Sequence, residues 1–256
     1  MTKYPIILVH GIAIKDIWFI GSFGNIDNHL INHGYIVYTS KIDAFGSTKN
    51  NAQLLKLQIL EILEKEKIDK VNMIAHSKGG LDSKEMIMNL GMEDHVASLT
   101  TISTPHKGSP IASFVLKFPK PLLRFGAFWV NLWYRVFGDK SPDCYTVCEE
   151  LKEGINSDDK ISENVYCQSY STIMKKSKDD VVMSIPHALS QKIDKGKETD
   201  GVVPVESSKF QNYRGNCLDD SVSHSEIVDL FVKKNKKEKI YNFYLNLVKD
   251  LEERGF

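Results

Sequence analysis

The sequence has no surplus of either charge: its 256 residues hold 33 Lys and Arg against 33 Asp and Glu. A formal net charge of zero leaves no global electrostatic footprint for nucleic acid, so no such partner is expected. No apolar run approaches the about 20 residues that cross a bilayer, and no transmembrane segment is expected. The N-terminus, MTKYPIILVHG, becomes strand-like at once, without a basic stretch followed by a long apolar one; no signal peptide is expected. Cysteine is sparse. Cys144, Cys148, Cys167 and Cys217 lack the C-x-x-C pairing of a zinc site, which implies free thiols in a reducing compartment. A cytoplasmic location is the expectation, with secretion the alternative if a leader has been removed. Internal repeats and low-complexity segments are also missing.

What remains is a chain of alternating character. Short apolar runs at 4–10, 35–40, 70–75, 97–103 and 164–171 read as strands. Stretches with helical apolar spacing, 50–67 and 240–253 among them, lie between and after these runs. This alternation predicts an α/β fold, a mostly parallel sheet flanked by helices. One domain over 1–256 is long enough to bury roughly 70–75% of its unfolded surface. Residues 110–154 differ: they are rich in Phe, Trp and Leu, carry prolines in PKP and SPD, and fit no strand. They read as a helical insertion within the domain. The basic run KKNKKEK at 233–239 reads as a solvated linker or face before the last helix, with contact to anionic lipid as the alternative.

The most informative stretch is IAHSKGG, residues 74–80. An apolar run precedes Ser77, and GLDSKEMIMNL after it has helical spacing. A strand that turns straight into a helix leaves little room, and Ala75 and Gly79 are small enough to permit it. Ser77 would then stand at the tip of the bend, the layout of a nucleophile elbow with Ala75 in place of the first glycine of G-x-S-x-G. Alone, the same letters also suit a turn or a helix cap.

Three further motifs give Ser77 company. The opening strand runs into His10-Gly11-Ile12, and a loop there can supply a backbone N–H to an oxyanion; the residue after the serine, Lys78, supplies a second. TDGVVP places Asp200 in an Asp-Gly turn. SHSE places His224 before an apolar helical run. Each has a plainer explanation by itself: a turn, a turn and a helix start. Together they run serine, acid, histidine, the order used by α/β-hydrolases and not that of chymotrypsin or subtilisin. His106 comes too early for that order, and His187 precedes the Asp-Gly turn and would need another acid such as Asp179 or Asp180. Asp194, Asp219 and Asp220 are the rival acids. His10 and His76 read as packed, hydrogen-bonded residues, and the Lys78 side chain as solvent-facing.

Through YPIILVHGI, AHSKGG, VASLTTISTPHKGSPIA, TDGVVPVESS and SHSE, the chain resembles bacterial triacylglycerol lipases and esterases of the α/β-hydrolase superfamily. The resemblance implies Ser77 as nucleophile, Asp200 as acid, His224 as base, and the amides of Ile12 and Lys78 as the oxyanion hole. It implies an acyl ester or lipid substrate and no cofactor. Many such relatives hold a structural calcium near the acid and histidine turns. Here Glu226 stands two residues after the histidine and the ligand run beyond it is not recognisable, so no metal is expected. A disulfide near the acid is not expected either, since the chain reads VPVESS there. A thioesterase or acyltransferase on the same scaffold, or a non-catalytic binding protein, are the competing readings. Finally, FGAFWVNLWYRVF at 125–137 is too aromatic for an ordinary exposed loop. It is expected to cap Ser77, with Phe125, Trp129 and Trp133 lining an acyl pocket and its edge in transient contact with a lipid surface.

Overall fold

A computed structural model describes residues 1–12, 21–154 and 159–256. Along the chain these form β1 (Ile6–Val9), α1 (Ile26–Asn32), β2 (Val37–Thr39), α2 (Thr48–Glu66), β3 (Val71–His76), α3 (Lys78–Asn89) and β4 (Val96–Ile102). There follow α4 (Pro110–Val115), α5 (Lys120–Val136), α6 (Cys144–Glu153), β5 (Tyr166–Ser171), α7 (Ser184–Ile193), α8 (Val205–Ser208), β6 (Tyr213–Asn216) and α9 (Lys234–Glu253). The strands pair in parallel in the order β2-β1-β3-β4-β5-β6.

Strands β1, β3 and β4 are buried along their whole length, as expected of a parallel sheet covered on both faces. Alternate residues of β1 point to opposite sides. Ile7 and Val9 join the core under α2 and α3, with Leu55, Ile59, Met73 and Leu99. Ile6 and Leu8 join the core under α1 and α9, with Leu30, Ile74, Tyr244 and Val248. Helix α2 is capped by the Ser47 hydroxyl, which accepts from the Asn50 amide at 3.4 Å, and it ends at Lys67 in the left-handed region. Edge strand β6, YRGN, alternates half-buried and exposed residues, so it has no apolar signature.

Helix α9 begins at Lys234, earlier than the apolar periodicity suggests, so 233–239 is not a linker but the largely exposed start of that helix, the solvated face of the expectation. Lys236 pairs with Glu226, Lys237 with Asp229 and Lys239 with Asp220. These acids sit in and around the histidine turn. The basic residues therefore brace that turn against the start of the helix.

Residues 110–154 are helical, as α4, α5 and α6. Pro110 opens α4, and Pro119 and Pro121 open α5, where the missing amide proton leaves no bond unmade. Two carboxylates lace this region to the loop after β2. Asp139 accepts from the Ala44 and Phe45 amides at 3.2 and 3.1 Å, and Asp43 accepts from the Lys140 and Ser141 amides at 2.9 and 2.7 Å. Connections from β1 run first to β2 on one side and then to β3 on the other. Strand order reverses there, and the crevice beyond the carboxyl ends of β1 and β3 is where such sheets place their ligands.

Candidate active site

Ser77 occupies the single residue between β3 and α3. Its φ of 54° and ψ of −131° are sparsely populated for a residue with a side chain, a strain on the order of 1–3 kcal/mol. Its neighbours hold it there. The Ser77 amide donates to the Ile102 carbonyl at 3.0 Å, and the Gly80 amide donates to the Ser77 carbonyl at 3.0 Å. A Cβ on Gly79 would lie 2.4 Å from the His10 carbonyl oxygen, and one on Gly11 would lie 2.7 Å from Ser77 Cβ. The loop after β1 and the first turn of α3 thus touch with no room for a methyl group.

The three motifs far apart in sequence converge here. Ser77 Oγ lies 2.9 Å from His224 Nε2, and His224 Nδ1 lies 2.7 Å from Asp200 Oδ2. Asp200 is fully buried in the turn between α7 and α8. Its Oδ1 accepts from the Val202 and Val203 amides at 3.0 and 2.8 Å, and its carbonyl accepts from the His224 amide at 3.0 Å. Burial alone would raise the Asp200 carboxyl, but His224 and the two amides outweigh it and hold the group below the usual carboxylate range. An ionised acid, an imidazole and a serine hydroxyl in series can draw the proton from the hydroxyl as its oxygen attacks a carbonyl.

Ile12 and Lys78 flank this centre. Gly11, Ile12 and Ser77 share the wall of one cavity, and Lys78 is the first residue of α3, where the amide has no carbonyl one turn back to bond. The Lys78 side chain does not face solvent, contrary to expectation. It is 1% exposed and forms an i,i+4 ion pair with Asp82 at 2.5 Å. Asn51 of α2 donates to the other Asp82 oxygen at 2.9 Å. Burial lifts the Asp82 carboxyl to about 6, with Lys78 and Asn51 pulling the other way. The ammonium is buried because α2 covers this side of α3, and Asp82 supplies the counter-charge that lets it stay.

The cavity beside Ser77 has a volume of about 540 Å³. Ile111, Ala112 and Val115 of α4, Cys148 and Leu151 of α6, and Met183, Val203 and Phe231 supply its apolar wall. Phe125, Trp129 and Trp133 do not line it. They are 63%, 54% and 63% exposed, because α5 turns its other side, with the buried Ala127 and the half-buried Leu123, Val130 and Tyr134, toward the protein. The expected pocket residues are therefore replaced by those of α4 and α6.

The rival histidines are engaged elsewhere. His187 Nε2 donates to the Met174 carbonyl at 2.8 Å and its Nδ1 meets Ser177 Oγ at 2.8 Å. His106 meets Thr101 Oγ1 at 3.1 Å and stacks on Phe210; burial pushes its pKa down to about 3. His10 Nδ1 donates to the Gly11 carbonyl at 2.9 Å. His76 packs its ring 4.5 Å from that of His224, and burial, then the nearby His224, hold it well below its usual value. His76 is therefore packed, as expected, against the ring of His224.

One contributor escaped the sequence reading. Asp180 accepts from the hydroxyls of Ser223 and Ser225, the residues either side of His224, at 2.5 and 2.9 Å. It also takes the Val182 amide at 2.7 Å. Burial works against its ionisation, but these donors outweigh it and keep its carboxyl below the usual range. On the other side of the turn, Glu226 accepts from Lys236 Nζ at 2.9 and 2.8 Å. The carboxylate two residues after the histidine already holds an ammonium, so these residues do not fit a structural cation. The serine spacing around His224, S-H-S, was the one visible hint of the clamp.

Comparison with known proteins places this geometry among relatives. Residues 38–187 match the model of the PGAP1-like alpha/beta domain, a span that includes Ser77 and α4–α6. The chain is similar to Triacylglycerol lipase 2 of Saccharomyces cerevisiae, 30% identical over 89% of this chain and 72% of that one. It is similar to a triacylglycerol lipase of Pseudarthrobacter phenanthrenivorans, 36% identical over 44% of this chain; the match spans 37% of that protein. In fold it resembles Staphylococcus hyicus lipase, with a TM-score of 0.70 and 16% identity over 98% of this chain and 96% of that one. A metagenomic carboxyl esterase aligns with a TM-score of 0.74 and 15% identity, covering 98% of this chain and 76% of the other.

Proposed function

Because this chain belongs to the PGAP1-like alpha/beta domain family, with triacylglycerol lipases among its relatives, we propose that it is a lipase or carboxylesterase that cleaves lipophilic acyl esters through Ser77. The observation that carries this reading is the unbroken series Ser77–His224–Asp200 opening on an apolar cavity. In the proposed cycle His224 Nε2 accepts the Ser77 proton as Oγ attacks the ester carbonyl. Asp200 fixes the imidazole with Nδ1–H toward the carboxylate and stabilises the imidazolium. The Ile12 and Lys78 amides receive the oxyanion, each donor contributing on the order of 3 kcal/mol. The imidazolium then gives its proton to the departing alcohol, leaving the acyl group on Ser77. A water molecule, deprotonated by the same His224, releases the carboxylic acid. The cycle as written uses these side chains, two amides and water.

Substrate class follows from the wall of the cavity. Ile111, Val115 and Leu151 present hydrocarbon to the acyl chain, and each methylene buried there contributes about 0.8 kcal/mol. Residues 110–154 act as a cap in this reading: α4 and α6 form its inner layer, and α5 faces the lipid from which substrate arrives. A fluorophosphonate probe tests the nucleophile. It should label the wild-type chain and leave Ser77→Ala unlabelled and inactive on p-nitrophenyl esters, with circular dichroism unchanged. Labelling of Ser77→Ala at the wild-type rate would overturn the assignment.

A further inference from the structure

The outward side of α5 carries an apolar stripe. Leu122, Phe125, Trp129, Leu132 and Val136 recur at three- and four-residue spacing, so they stack along one side of the helix, and all are exposed. Phe128 and Trp133 widen the stripe. Large, contiguous apolar patches on a protein surface mark interaction sites.

Charge identifies the partner. From residue 95 to residue 138 the sequence contains no Asp or Glu, while Lys117, Lys120, Arg124 and Arg135 fall in this span and are exposed. Lys120, Arg124 and Arg135 lie at spacings of 4 and 11 residues, which puts them on one side of the helix, along a single border of the stripe. The first acids beyond the helix turn inward: Asp139 takes the Ala44 and Phe45 amides, and Asp143 caps α6 through the Thr146 amide at 3.1 Å. An antiparallel second copy brought face to face would set cations against cations. An apolar stripe bordered by Lys and Arg is instead the layout of a helix that lies in a membrane interface.

We propose that α5 anchors the protein on an anionic lipid bilayer, with its aromatic stripe at the acyl boundary and its cations among the headgroups. The proposal deepens the lipid-ester reading and rests on it for the direction of substrate entry. Phe118 links the end of α4 to the start of α5 and is itself exposed, while Ile111 and Val115 of α4 wall the cavity. Consecutive helices thus carry the docked face and the acyl site.

The test uses the full chain as Ser77→Ala, so that no hydrolysis accompanies binding. It is mixed with vesicles of phosphatidylcholine alone and of phosphatidylcholine with phosphatidylglycerol. The expected result is co-sedimentation with the mixed vesicles only, weakening as salt screens the headgroups. Trp129 and Trp133 are two of the three tryptophans, so emission should shift to the blue on binding. Adding Arg124→Gln and Arg135→Gln should weaken partition by roughly 25-fold, about five-fold per charge. Adding Trp129→Ser and Trp133→Ser should abolish it, with circular dichroism showing that each variant is folded. Equal partition onto both vesicle types would overturn the role of charge. Absence of binding to either, or dimerisation through this face in its place, would overturn the anchor. Hydrolysis of dissolved p-nitrophenyl acetate by the wild type, without vesicles, tests Ser77 separately, so either reading can fail alone.

Discussion

At the scale of single residues, the site separates groups that carry the proposed chemistry from those that hold them in place. Asp200→Asn keeps the side-chain volume and an acceptor for the Val202 and Val203 amides, but removes the charge that faces His224 Nδ1. Turnover should fall about 10⁴-fold with little change in melting temperature, because the imidazole loses its tautomer and the fold loses almost nothing. A mild loss there, beside a severe one at Asp194, Asp219 or Asp220, would move the acid elsewhere. Asp180 acts one step back, through the hydroxyls of Ser223 and Ser225. Asp180→Ala should free the histidine turn and lower kcat by about 10²-fold, the scale of a displacement near 1 Å, while KM changes little. A rise in KM with kcat unchanged would show that Asp180 serves the cavity and not the histidine. Ser77, Asp200 and His224 were legible in the sequence because each sits in a short motif and the three come in one telling order. Asp180 was not, because its partners are 43 and 45 residues away and nothing local marks it.

At the scale of elements, α3 shows how a local pattern can mislead. The strand–turn–helix succession through Ser77 was legible because Ala75 and Gly79 are small enough for the bend, and Gly79 is indeed where the loop after β1 touches α3. The fate of Lys78 was not, since its burial depends on α2 crossing above it and on Asn51 reaching Asp82. Removing the cation leaves the buried Asp82 carboxylate without its counter-charge, so Lys78→Met should destabilise the chain by roughly 3–5 kcal/mol in urea unfolding. Lys78→Met with Asp82→Leu should recover most of that loss, because well-packed apolar residues replace a buried pair at little net cost. The sign of the pH effect follows from Asp82. Its folded pKa is raised to about 6 from an ordinary 3.8, so between these values the folded state binds a proton that the unfolded state does not. Wild-type stability should therefore rise, relative to the double variant, as pH falls from about 6 toward about 4, and be lost again as pH rises through 6. A constant difference across that window would show that Asp82 titrates normally. Helix α5 misled for another reason. Its amphipathic pattern was plain, but the side facing the protein is the one with Leu123, Ala127, Val130 and Tyr134, while Phe125, Trp129 and Trp133 stay exposed; burial of large apolar side chains is a tendency and not a rule.

At the scale of the whole molecule, the parallel sheet brings the working ends of β1 and β3 together where strand order reverses, and α4 and α6 wall the cavity there. The alternation of strands and helices made this architecture readable, with the exception of β6, whose four residues carry no apolar run. The helical insertion was readable as an outlier in composition; which of its layers meets substrate depended on packing between helices distant in sequence. The chain is an ester hydrolase, and the proposal that its acyl site is the cavity walled by α4 and α6 can be measured. Val115→Trp should fill part of the cavity without touching Ser77, His224 or Asp200. On a graded series of p-nitrophenyl esters, wild-type kcat/KM should rise about four-fold per added methylene, the equivalent of about 0.8 kcal/mol, until the cavity is full. In Val115→Trp the rise should stop at a shorter chain, with acetate hydrolysed near the wild-type rate. Trp129→Ala with Trp133→Ala should leave this profile for dissolved esters unchanged, since both rings face away from the cavity. If the tryptophan pair shortens the profile and Val115→Trp does not, the acyl chain lies under α5, and the assignment of α4 and α6 as its wall is wrong.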